Sequence, residues 1–153
     1  MNELRDLYRE LILDHAKSPR HFGKLDGATH WAEGINPLCG DKLKLFLRVD
    51  DKQTIDSASF EGSGCAISVA SASLLTDLVI GMDVATALNT FDAVTTRLTG
   101  RGADIDIAGG LKAEKLRALD GVREFPSRVK CATLAWHALN SAINNRSTPA
   151  TTE

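Results

Sequence analysis

Cysteine is scarce in this chain: its 153 residues hold three, Cys39, Cys65 and Cys131. An odd number excludes a framework in which every thiol is paired in a disulfide, and unpaired thiols fit a reducing cytoplasm. Long hydrophobic runs are also missing. No apolar stretch reaches the roughly 18 residues a membrane span requires, and the opening Met1-Asn2-Glu3-Leu4-Arg5-Asp6 is too charged for a signal peptide. Charge of one sign is not in excess. The 18 Lys and Arg against 20 Asp and Glu leave a net charge of −2, which argues against nucleic acid or an anionic membrane surface as a partner. There is no internal repeat and no linker-like stretch. The expectation is one cytoplasmic domain over residues 1–145, followed by a disordered tail at 146–153.

What is present suits a soluble domain with a buried core: 43% of residues are hydrophobic and 25% charged. Leu4, Leu7, Tyr8, Leu11, Ile12 and His15 recur at helical spacing, which predicts a helix over 3–16 that ends before Pro19. Residues 19–37 read as loop. Leu43, Leu45, Leu47 and Val49 alternate as a strand does, and 54–61 return as its hairpin partner. A helix follows Cys65, with Ile67, Ala70, Leu74, Leu75 and Leu78 on one face and Gly81 as its stop. Asp83 is placed to cap the next helix. Residues 99–110 are glycine-rich and read as loop, and 111–119 as a short helix. Pro126-Ser127 opens the last helix, with Ser127 as its cap and Val129, Ala132, Trp136, Leu139 and Ile143 as its stripe. Two or three antiparallel strands with segregated helices make an α+β domain, a small sheet packed against several helices.

The chemistry-bearing residues fall in three short segments: Asn36-Pro37-Leu38-Cys39-Gly40-Asp41, Glu61-Gly62-Ser63-Gly64-Cys65, and Arg128-Val129-Lys130-Cys131. Cys39 and Asp41 share parity with Leu43 and Leu45, so an extended backbone from residue 39 would point both toward the core side. Cys65 begins a helix, and Cys131 is expected in the first turn of another, where backbone N–H groups favour a thiolate. Three thiolates and one carboxylate would fill a tetrahedral zinc site. Taken singly, each cysteine reads sooner as a small buried hydrophobe than as a ligand. There is no local Cys-x-x-Cys pair, so the residues alone leave both readings open. The histidines point elsewhere: His15 and His137 read as packing on their helices, and His21 and His30 lack metal spacing with a cysteine. Asp104 and Asp106 have no EF-hand pattern around them.

With Phe22-Gly23-Lys24-Leu25, Phe60-Glu61-Gly62-Ser63-Gly64-Cys65-Ala66-Ile67-Ser68 and Lys130-Cys131 added to the Cys39 segment, the chain resembles the IscU/NifU-type family of iron–sulfur cluster assembly proteins over nearly its whole length. Two features resemble the SufU-like branch. Lys130 stands where the scaffold branch has a histidine before its third cysteine, and there is an additional stretch around 99–125. The resemblance implies a zinc-dependent sulfurtransferase: Cys39, Asp41, Cys65 and Cys131 hold zinc, and Cys39 accepts persulfide sulfur from a PLP-dependent cysteine desulfurase. A downstream iron–sulfur assembly scaffold would be the recipient. Arg128 and Lys130, beside Cys131, read equally as a solvated helix start or as groups that hold the outgoing thiolate or dock the partner. The alternative is a scaffold that assembles a [2Fe–2S] cluster on the same cysteines.

Overall fold

The computed structural model describes residues 2–100, 107, 110–145 and 150–152. Its elements run α1 (Asn2–Lys17), β1 (His30–Asn36), β2 (Asp41–Val49), β3 (Ile55–Ser63), α2 (Ala66–Val79), α3 (Val84–Leu98) and α4 (Gly110–Glu114). A 3-10 stretch (Lys115–Glu124), α5 (Pro126–Ile143) and the two-residue strand β4 (Ala150–Thr151) complete them. The sheet order is β3-β2-β1-β4. β1 and β3 flank β2 antiparallel, and β4 joins β1 in parallel. The α+β class holds. Among the described residues no helix is long and apolar enough to cross a membrane.

β2 follows its alternation. Leu43, Leu45 and Leu47 are 5% exposed or less, and each such side chain contributes about 2 kcal/mol by leaving water. α2 sits deepest among the helices, buried on nearly every side, with small Ala70, Ser71, Ala72 and Ser73 where its neighbours approach. The Ser71 hydroxyl donates to the Ala132 carbonyl of α5 at 2.5 Å. Trp136 of α5 is wholly enclosed. Asp83 caps α3 as expected, its Oδ1 accepting from the Thr86 N–H at 2.8 Å. The 3-10 stretch is tied to α3 by a two-pronged pairing of Arg97 with Asp120, at 2.8 and 2.7 Å.

β1 is where the structure departs most from the sequence pattern. Residues 30–36 were expected within a loop, because the inward positions Ala32, Gly34 and Asn36 are small or polar and show no apolar alternation. The reason is α5, which crosses this strand: a Cβ on Gly34 would meet Leu134 at 3.2 Å. Glycine inside a strand marks such a close approach. Leu134 is fully buried over that glycine, so Leu134→Ala should cost about 3 kcal/mol in urea unfolding. A change below about 1 kcal/mol would show that the helix settles onto the strand.

Three further expectations are corrected. The cap of α5 is Phe125 with Pro126 in the first turn, and Ser127 lies inside the helix; proline's fixed φ suits that first position. The short helix expected at 111–119 is α4 running on into the 3-10 stretch. Ala150 and Thr151, placed in a disordered tail, pair with Gly34 and Ile35, because β1 otherwise has an open edge there. Residues 146–149 and 153, and most of 99–110 including Asp104 and Asp106, lie outside the described residues.

Candidate metal centre

The end of β1, the start of β2 and the end of β3 lie together at one end of the sheet, as the pairings Asn36 with Asp41 and Lys42 with Ser63 require. The turn between β1 and β2 carries Cys39. Gly40 closes it at φ +74°, a left-handed angle that glycine adopts freely, and its N–H donates to the Asn36 carbonyl at 2.9 Å. Cys39 is therefore off the strand and exposed, not core-facing as its parity with Asp41 suggested. Asp41 opens β2, points inward and is 1% exposed.

Cys65 is the residue that caps α2. Its backbone N–H donates to Asp41 Oδ1 at 2.8 Å, so the helix start serves the carboxylate. Cys131 is the sixth residue of α5, one turn later than the sequence suggested. Its Sγ lies 3.6 Å from the Ser127 carbonyl one turn back, beyond the first turn where a helix dipole acts strongly. Burial pushes the Cys131 thiol strongly upward, with Asp41, then Cys65, then Cys39 adding to the shift through hydrogen bonds.

Ligand atoms of Cys39, Asp41 and Cys131 all lie within 4.8 Å of one another. Cys65 is outside that group, yet its thiol acts on the Cys131 sulfur. Among the described residues no lysine or arginine pairs with Asp41, whose carboxylate accepts from the Cys65 N–H and the Asn36 side chain and also meets the Cys131 thiol. A buried carboxylate among thiols, with no cation, is a donor set suited to a divalent ion such as zinc. Arg128 and Lys130 both precede Cys131 in sequence. The Arg128 guanidinium lies over the Phe125 ring at 5.8 Å.

Two residues escaped the sequence reading. Asn36 is fully buried and reaches both Asp41 and Cys131; its position as the last inward residue of β1 was the available signal, hidden because β1 itself went unread. Gly64 is the other: a Cβ there would sit 2.5 Å from Asp41 Oδ1. Gly64→Ala should push the carboxylate aside and lower zinc affinity about tenfold or more. Titration calorimetry that finds equal affinity would show the carboxylate has room to move.

A family model described as the NifU-like N terminal domain matches residues 7–150. The chain belongs to that family. Within it, the chain is 40% identical over 140 residues to the zinc-dependent sulfurtransferase SufU of Bacillus subtilis, covering 92% of this chain and 91% of that protein. It is 38% identical over 143 residues to the iron–sulfur cluster assembly scaffold protein IscU of Streptococcus pyogenes, covering 94% of this chain and 86% of that one. The crystal structure of a SufU from Fervidobacterium islandicum, described as a cluster assembly scaffold protein for the SUF system, superposes with a TM-score of 0.77 at 32% identity, covering 88% of this chain and 94% of that one. This member of the NifU-like family thus resembles both SufU and IscU proteins throughout its length.

Proposed function

We propose that this protein is a zinc-dependent sulfur acceptor in iron–sulfur cluster assembly, taking persulfide sulfur from a PLP-dependent cysteine desulfurase and passing it to a downstream scaffold. The observation that carries the reading is the contrast within one group of ligand atoms: Cys39 is exposed, whereas Cys131 and Asp41 beside it are buried. Cys39, Asp41, Cys65 and Cys131 would hold the zinc, which when bound supplies the positive charge that keeps their sulfurs as thiolates at neutral pH.

The chain's own residues then divide the work. Asn36 and the Cys65 N–H hold the Asp41 carboxylate. Cys131 stays anchored within α5 and Cys65 at the start of α2. Cys39, in a turn open to solvent, is the thiolate an incoming protein can reach. Its sulfur attacks the terminal sulfur of the donor's persulfide; the donor's S–S bond breaks, a new S–S bond forms on Cys39, and the donor departs as a thiolate. Arg128, exposed, and half-buried Lys130 precede Cys131 in sequence and would favour that departing charge or dock the donor. The test is to mix the protein with desulfurase and cysteine and locate the added sulfur by mass spectrometry. Sulfur on Cys39 supports the reading, and sulfur on no cysteine defeats it.

A second reading, a scaffold that carries a [2Fe–2S] cluster on the same thiols, is favoured by the likeness to IscU and weakened by Lys130 in place of a histidine. A brown, iron-containing protein on purification would select it; a colourless protein with one zinc per chain selects the sulfur acceptor.

A further inference from the structure

Asn36 lies at the end of β1 with no exposed surface. Its Nδ2 donates to Asp41 Oδ2 at 3.0 Å and to Cys131 Sγ at 3.5 Å, so both N–H bonds of one carboxamide are spent on two of the candidate ligands. The opposite orientation of the amide would set Oδ1 against the carboxylate, acceptor against acceptor. As placed, Oδ1 is buried with no hydrogen-bond partner. A carboxamide there for packing alone would be poorly chosen, since an apolar side chain of that size would bury no unpaired oxygen. Nor is the side chain needed for the turn, because that hydrogen bond comes from the Asn36 backbone carbonyl. What remains is its pair of donors, one aimed at a carboxylate oxygen and one at a sulfur of the candidate centre.

We infer that Asn36 is a positioning residue of the centre: its side-chain N–H groups hold Asp41 and Cys131 in the arrangement that binds the metal. This rests on the metal-site reading above. Groups that orient ligands in this way typically account for about 10–100-fold in metal affinity. The bond to Cys131 links β1 to α5 across the centre, so the same amide also sets the spacing between the two elements. By withdrawing charge from the Cys131 sulfur it leaves that thiolate a poorer electron donor, and the exposed Cys39 the more reactive of the two.

The test compares wild type with Asn36→Leu, which keeps the size and removes the donors. Zinc affinity should fall about tenfold or more, while the zinc-free forms melt alike. With Co2+ in place of zinc, the thiolate-to-cobalt charge-transfer band should move to lower energy in the variant, because the sulfur loses its N–H bond. Equal affinity and an unchanged band, with wild type binding both metals, overturn the role of Asn36 and leave the metal site standing. Failure of wild type to bind either metal at its thiols overturns both. Should the variant not fold, the wild-type protein decides: the Asn36 side-chain amide protons, followed by NMR as Zn2+ is added, should shift downfield, and resonances that stay in place overturn the proposal.

Discussion

Cys131→Ala should lose most of its zinc and melt well below wild type. A ligand that binds only the folded state at a hundred times its dissociation constant adds about 2.7 kcal/mol, equivalent to roughly 5–11 °C in a domain of this size. Cys131 is buried on α5 and interacts with all three other candidate ligands, so its loss removes the donor that the others share. Chelating zinc from wild type should produce a drop of similar size, and chelation should change the variant little. Cys65→Ala is expected to behave alike, whereas Asp41→Ala should keep part of its zinc, because a carboxylate binds zinc less strongly than a thiolate. Protons compete for the thiolates, so acidification should release the metal and bring the zinc-loaded and zinc-free melting curves together. Differential scanning calorimetry with and without chelator checks all of this. A Cys131→Ala protein that still responds to chelator as wild type does would remove Cys131 from the ligand set.

Cys39→Ser should abolish stimulation of the desulfurase while leaving the fold in place. The side chain is exposed in a turn and adds little to the packing, and Asp41, Cys65 and Cys131 remain to hold the metal. The chemical loss is far larger. A serine hydroxyl is not ionised near neutral pH, and it cannot form the S–S bond that holds the transferred sulfur. Cysteine turnover by the desulfurase should therefore fall to its rate without this protein, with circular dichroism unchanged. Stimulation that survives Cys39→Ser but disappears in Cys131→Ser would assign the acceptor to the wrong thiol.

Much of this could be read from local chemistry. The α1, α2, α3 and α5 helices carry their own periodicity, and Asp83 its own cap, because side chains three and four apart share a helix face whatever surrounds them. The β2–β3 hairpin declares itself by the alternation of Leu43, Leu45 and Leu47. Cys39, Asp41, Cys65 and Cys131 stand out by residue type and by the segments around them, and the order of those segments carries the family resemblance. β1 was hidden because its inward residues answer to Leu134, about a hundred residues further on. The depth of Cys131 within α5 depended on a helix that starts at Pro126 after a 3-10 stretch, and the exposure of Cys39 on the angle of Gly40. β4 exists only against an open strand edge. Asn36 meets Cys131 across a separation of 95 residues, a contact with no local signature. Sequence alone determined which residues have ligand chemistry and which segments are helical or extended, since those follow from neighbours along the chain. The fold decided which thiol is buried, which is open and what holds the carboxylate between them, because burial and hydrogen-bond partners come from packing between distant segments.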